Sequence, residues 1–329
     1  MPEFAPVVII LGPTASGKTE LLTELFIGSN ALCPAEVISA DSAQVYCGMD
    51  IGTAKPGPEL RSLLPHHLID ICEPSEQFNA GDFVRLANSA VELINGNGKL
   101  AVISGGTGFY INNFIYGLPK TPGSSEKIRY ELKKELAEHG PSVLMEELIR
   151  YDSKSAERIH KNDTYRLLRA VEVLRLTGKP LSSYENFINN HSEPRRNTLV
   201  IIINRNREIL YKRINERCML MLKAGLRNEV ESLFKKGYGP EVPAMRAIGY
   251  KEFFMKDDDG KYKMHDDIYN KIIMENIMKN SRNYAKRQIT YFKSISDSHW
   301  FLLDDNKLEY TTQLSEIRKL IKNFLLARL

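Results

Sequence analysis

Cysteine is scarce in this chain. Four occur in 329 residues, Cys33, Cys47, Cys72 and Cys218, irregularly spaced and with no CxxC pair. A zinc ribbon and a disulfide framework are therefore excluded as the basis of the fold. Long apolar runs are missing too: the opening segment MPEFAPVVIILGPTASGK carries only VVIIL before Gly12. With no basic leader and no stretch of about 20 apolar residues, neither a signal peptide nor a membrane span is expected, and a soluble, cytoplasmic setting follows. Charge of one sign is not in large excess, since 45 Lys and Arg stand against 41 Asp and Glu, a net +4. That is too mild for a polycation, although a local cluster could still hold a nucleic acid. There is no internal repeat and no low-complexity segment. What is present, 43% hydrophobic and 26% charged residues, is the balance of a globular chain with a core, of one large or two modest domains.

Five short apolar runs punctuate the chain: Val7–Leu11, residues 37–40, 100–103, 199–203 and 300–303. Continuous β-branched runs separated by helical stretches predict parallel strands covered on both faces. Several end in polar or glycine-bearing turns, and the carboxyl edge of such a sheet is where ligands bind. Residues 120–196 have a different texture, strongly charged and helical in pattern over 128–138, 143–151 and 163–177. The expected fold class is therefore α/β: a P-loop-type parallel sheet flanked by helices, with an inserted all-helical subdomain. Residues 1–119 form the first part of the core and 120–196 the insertion. Residues 197–329 form the second part, with a long helix expected over 268–292.

Gly12-Pro13-Thr14-Ala15-Ser16-Gly17-Lys18-Thr19 fits GxxxxGK[ST] between a strand and a helix. Such a loop curls so that its N–H groups face phosphate oxygens, and the helix start adds a positive dipole. Lys18 would neutralise the terminal phosphates and Thr19 would place its hydroxyl on Mg²⁺. A nucleoside triphosphate is the commonest ligand of such loops, so a kinase or NTPase is the starting expectation. Asp41, at the end of the second strand, is the expected acidic partner.

The residues around these two features carry more. GPTASGKT, ISADSAQVYCGMDIGTAKP, HHLIDICEP, FVRLA, GGTGFYI, ERIHKND with YRLLRAVEV, RAIGYKEF and AKRQITYF follow one another between residues 12 and 292. In order and spacing they resemble the tRNA dimethylallyltransferases, also called tRNA isopentenyltransferases. The resemblance implies transfer of a dimethylallyl group from dimethylallyl diphosphate to N6 of the adenosine immediately 3′ of the anticodon, in tRNAs reading codons that begin with U. The phosphate loop then binds the prenyl diphosphate and not ATP. An exocyclic adenine amine is a weak nucleophile, so a carboxylate that takes its proton is the simplest remedy, and Asp41 is the candidate base. Thr107, in the turn Gly105-Gly106-Thr107-Gly108, is the family's second substrate contact.

The resemblance also places tRNA contacts at Asp41, Ser42, Ala43, Gln44 and Thr107. It adds Tyr165-Arg166-Leu167-Leu168-Arg169 in the insertion, and Arg246-Ala247-Ile248-Gly249-Tyr250-Lys251. In that last segment two cations and an aromatic suit phosphate contact and base stacking. Tyr165 stands where the family often has Gln. The late helix is the most basic stretch: residues 271–293 hold six Lys and Arg against Glu275 alone, with Tyr284, Tyr291 and Phe292 interleaved. His66 and His67 are expected to be structural, Met219 and Met221 to lie in the core, and Cys33, Cys47 and Cys72 to pack as small apolar groups. The carboxy-terminal RKLIKNFLLARL carries no Cys or His pair, as in the compact bacterial form without a zinc finger. A monomer is expected, with Mg²⁺ as cofactor. The alternatives are a P-loop small-molecule kinase with a helical lid, an adenylate isopentenyltransferase and a non-catalytic RNA-binding switch.

Overall fold

The computed structural model describes residues 5–118, 121–184, 197–304 and 306–327. The chain divides into two compact units, Met1–Ile115 with Arg196–Leu329, and Tyr116–Arg195. Residues 119–120 and 185–196, where the sequence sets the ends of the insertion, lie outside the described residues.

In the first unit, β1 (Val7–Leu11), β2 (Ala35–Ala40), β3 (His66–His67), β4 (Leu100–Gly105), β5 (Thr198–Asn204) and β8 (Ser298–Leu302) form a sheet in the order β3-β2-β4-β1-β5-β8. Every pairing is parallel. A separate antiparallel ribbon joins β6 (Phe254–Lys256) to β7 (Tyr262–Met264). All residues of β1, β2 and β4 are buried, the pattern expected of strands covered on both faces. Val8, Ile10, Val37, Val102 and Ile201 pack against Leu21 and Leu25 of α1 (Lys18–Phe26).

Register matters for function. Leu11 lies opposite Gly105, and Gly105 opposite Ala40, so β1, β2 and β4 end at one level. The phosphate loop, Asp41 and the turn at 106–107 leave the sheet side by side. Gly105 is required there by space: a Cβ would lie 2.1 Å from the Ala40 carbonyl oxygen, against backbone that cannot swing away. Gly105→Ala should cost about 2 kcal/mol or more through overpacking. A urea-denaturation midpoint equal to that of the parent would contradict this account of the strand ends.

The strands match the sequence-based expectation to within two residues at each end. Three strands were not foreseen: the two-residue β3, and the ribbon strands β6 and β7. His66 and His67 form β3; His66 Nδ1 lies 2.7 Å from the Leu64 carbonyl, and His67 Nε2 lies 2.6 Å from Glu36 Oε2. Both histidines are therefore structural. The four cysteines are free. Met219 is a correction. It is 44% exposed on α9 (Arg207–Lys223), because the buried stripe of that helix runs through Leu210, Ile214 and Cys218. Met221 is partly buried and does pack on the core.

The second unit is all-helical among its described residues. It holds α5 (Glu126–His139), α6 (Pro141–Tyr151), α7 (Ser153–Arg158) and α8 (Thr164–Thr177). Leu132, Leu144, Leu148, Leu167, Leu168 and Val171 form its core. Asp152 and Asp163 cap α7 and α8 by accepting from the backbone N–H of Ser155 and Arg166. Glu172 is fully buried and accepts from Ser124 Oγ at 2.5 Å, Ser125 N at 2.9 Å and Arg169 Nη1 at 2.8 Å. Burial alone would raise its pKa. The hydrogen bonds of Ser124 and Arg169 and the charge of Arg129 outweigh that and hold it below the usual carboxylate value.

Candidate active site

The phosphate loop runs from Gly12 to Gly17, and Lys18 opens α1. Ala15 takes a left-handed φ of 62°, and Gly17 one of 101°, which gives the loop its curl. The outer side of the loop is tied down by cations: Arg205 Nε donates to the Ser16 carbonyl at 2.9 Å and Arg213 Nε to the Ala15 carbonyl at 3.1 Å. The Thr14 N–H is engaged as well, donating to Gln288 Oε1 at 3.0 Å. The buried Ser16 hydroxyl has no hydrogen-bond partner among the described residues.

Lys18 Nζ donates to the carbonyls of Gly12 at 2.8 Å and Pro13 at 3.1 Å, so the ammonium is folded against the entry limb of its own loop. Burial is the main reason its pKa is pulled down to about 8. The Arg217 guanidinium pushes the same way, and Asp41 and Glu20 oppose it. A diphosphate placed there would reverse the balance by supplying the missing negative charge.

Asp41 follows β2 directly. Its Oδ1 accepts from Ala43 N at 2.9 Å and Gln44 N at 3.3 Å, an Asx turn that fixes the carboxylate. Its second oxygen has no protein partner among the described residues. Thr107 sits beside it: Ser42 N donates to Thr107 Oγ1 at 3.2 Å, and Thr107 N donates to the Ala40 carbonyl at 3.1 Å. Tyr284, on α11 (Asn270–Phe292), lines the same cavity as Asp41, one turn before Gln288. Burial, reinforced by the charge of Asp41, pushes the Tyr284 pKa up to about 12, so the phenol remains protonated at neutral pH. Gln288 Nε2 donates to the Gly106 carbonyl at 2.9 Å. One face of α11 thus joins the phosphate loop to the loop of Thr107.

Asp41 and Tyr284 open into a cavity of about 320 Å³. Thr14, Asp41, Ser42 and Ala43 line one part; Arg217, Arg246, Lys251 and Arg287 supply cations around it. A carboxylate among so many cations suits a polyanionic ligand with one proton to remove. A wider groove of about 550 Å³, lined in part by His67, Cys72, Phe78, Asp82 and Arg85, holds none of the residues described here as phosphate-binding or catalytic.

The structure brings together the phosphate loop, Asp41 to Ala43, Thr107 and part of residues 246–251. It treats other expected contacts differently. Gln44 is turned into the fold, accepting from Ser39 Oγ at 3.0 Å and donating to the carbonyls of Thr53 and Ala54 at 3.2 and 3.3 Å. Leu167 and Leu168 belong to the core of the helical unit. Arg169 is held by Glu172 and the Pro122 carbonyl. Of residues 165–169, Tyr165 and Arg166 face solvent, and the Arg129 guanidinium lies 5.5 Å from the Tyr165 ring centre. Tyr250 is fully buried, so it cannot stack on a base as its neighbours suggested. Phe292, on the basic helix, is core for the same reason.

Sequence reasoning missed Arg217 and Gln288, and it named Tyr284 only as one aromatic of the basic helix. A signal did exist: Arg217 falls three residues after Ile214, on the apolar stripe of α9, and Gln288 lies among the buried positions of α11. A long polar side chain on a buried stripe must meet a partner.

Comparison with known proteins agrees with this geometry. Residues 44–295 match the IPP transferase family. A tRNA dimethylallyltransferase of Geobacter sulfurreducens is 40% identical over 317 residues, covering 96% of either chain. The crystal structure of a full-length tRNA isopentenylpyrophosphate transferase from Bacillus halodurans aligns with TM-score 0.66 at 35% identity, over 98% of this chain and 97% of that one. A eukaryotic dimethylallyltransferase acting on tRNA aligns with TM-score 0.76 at 26% identity, over 98% of this chain and 79% of that one. A phosphate loop, a fixed carboxylate and a basic cavity at one sheet edge thus coincide with this likeness over nearly the whole chain, and the protein belongs to the IPP transferase family.

Proposed function

We propose that the protein transfers a dimethylallyl group from dimethylallyl diphosphate to N6 of the adenosine immediately 3′ of the anticodon in tRNA, releasing diphosphate. The observation that carries this reading is the meeting of Thr14, from the phosphate loop, and the Asp41 carboxylate in one cation-lined cavity. The diphosphate lies on the loop, with Lys18 and Arg217 meeting its charge. N6 attacks the terminal methylene carbon of the prenyl chain. As the C–N bond forms, the bond from that carbon to the diphosphate oxygen breaks, and its electron pair leaves with the diphosphate. The N6 proton passes to Asp41, whose second oxygen is open to receive it. Lys18 and Arg217 stabilise the charge that gathers on the leaving group.

Thr19 and the diphosphate offer only oxygen ligands, a donor set that fits Mg²⁺. No group of three or more His, Cys, Asp or Glu suited to a metal occurs among the described residues. That fits an ion carried largely by the substrate, whose chemistry would be to neutralise the departing diphosphate.

The acceptor reaches the cavity as a base drawn out of its stack. Arg246, Lys251 and Arg287 would meet the RNA backbone there, while Tyr165 and Arg166 of the helical unit offer a further stacking and phosphate contact. No helix among the described residues is long and apolar enough to cross a membrane. We place the protein in the cytoplasm, acting as a monomer.

Diphosphate release tests the reading directly. With dimethylallyl diphosphate and Mg²⁺, release should require unmodified tRNA and should be indifferent to ATP. ATP turnover that depends on a small acceptor and ignores tRNA would overturn the reading in favour of a kinase.

A further inference from the structure

Glu229 lies outside the cavity, yet its carboxylate gathers four donors. It sits in the first turn of α10 (Leu226–Lys235). Oε2 accepts from Asp50 N at 2.9 Å and Ile51 N at 2.8 Å; Oε1 accepts from Gly52 N at 3.1 Å and from the Tyr250 hydroxyl at 2.6 Å. Three successive backbone N–H groups turned onto one carboxylate make an anion nest, here filled by the protein itself. Charge-assisted bonds of this kind are about twice as strong as neutral ones.

The two segments tied together both form cavity wall. Gly52 and Thr53 line it, and so do Arg246 to Gly249 and Lys251. Between them the packing leaves no slack: a Cβ on Gly52 would lie 2.5 Å from the Tyr250 ring. Glu252 braces the second segment from behind, accepting from Gly249 N at 2.8 Å and from Asn280 Nδ2 at 2.7 Å. Lys18, by contrast, is held by Gly12 and Pro13, and the phosphate loop by Arg205, Arg213 and Gln288, none of which bonds to Glu229.

We infer that Glu229 is a positioning residue for the acceptor: through the 50–52 backbone and the Tyr250 hydroxyl it fixes the wall that presents Arg246 and Lys251 to RNA. This rests on the transfer reading above. A glutamine at 229 has one acceptor oxygen in place of two, and its NH₂ group would face backbone N–H groups that also need acceptors. The wall should loosen while the donor side stays in place.

The experiment uses the full-length protein, Mg²⁺, dimethylallyl diphosphate and an unmodified anticodon stem-loop RNA, with parent, Glu229→Gln and Tyr250→Phe. Glu229→Gln should raise the RNA KM tenfold or more, with the donor KM and the affinity for inorganic diphosphate within twofold of the parent. Tyr250→Phe, which removes one of the four bonds, should raise the RNA KM about threefold with the same donor KM, and it decides the matter if Glu229→Gln does not fold. Equal rises in both KM values, or an unchanged RNA KM in both variants, would overturn the inference. RNA affinity measured by anisotropy without donor keeps the two readings apart. Absence of product with the parent protein refutes the transfer reading, whereas parental RNA affinity in both variants refutes the role of Glu229.

Discussion

Asp41→Asn should lower kcat about 10³-fold, the middle of the range for loss of a general base. Asparagine keeps an oxygen where Asp41 Oδ1 accepts from Ala43 and Gln44, so the Asx turn and the loop should survive. What it loses is the ability to take the N6 proton, which equals about 4 kcal/mol of transition-state stabilisation at that rate loss. RNA affinity and donor KM should stay near parental values. The check is single-turnover kinetics with RNA saturating, so that chemistry is read apart from binding. A variant rate within fivefold of the parent would remove Asp41 from proton transfer and leave it as a turn-forming residue.

Lys18→Ala is the second large effect expected. It removes the cation that faces the leaving diphosphate, and loss of one such electrostatic contact costs about 10²–10³ in rate. Because the donor's charge is met in the ground state too, both the donor KM and kcat should suffer, unlike the pattern for Asp41→Asn. Lysine also gives a pH signature. In the free protein its pKa is lowered to about 8, so the ammonium is charged below that pH and neutral above it. Donor kcat/KM, which reports the free protein, should therefore fall with a one-proton slope as pH rises through about 8. kcat should not follow, because bound diphosphate restores the charged form. A flat donor kcat/KM profile between pH 7 and 9 would contradict the placement of Lys18 described here.

Much of this site is legible from local sequence. The phosphate loop is contiguous, its strand and helix are short and strongly patterned, and Asp41 and Thr107 stand immediately beyond apolar runs that end in turns. The helical character of residues 126–177 shows in their charge and periodicity. Other features depend on which segments meet in space. Tyr250 reads as an exposed aromatic between two cations, yet it is buried because Glu229, 21 residues earlier, captures its hydroxyl. Arg169 shares a helix face with Arg166, but the buried Glu172 draws it inward. Gln288 meets Thr14 from 274 residues away, a pairing that no local pattern can signal. The two-residue β3 is too short for period-two alternation to register. In each case the missing information is a partner supplied by tertiary structure.

The measurement that tests the central claim most directly is mass spectrometry of nucleosides from unmodified tRNA incubated with the protein, Mg²⁺ and dimethylallyl diphosphate, without ATP. The account predicts one adenosine per reactive tRNA, the one immediately 3′ of the anticodon, gaining a single five-carbon unit at N6. Folded protein and intact tRNA that yield no prenylated nucleoside, or a prenyl group carried on free adenylate instead, would contradict it.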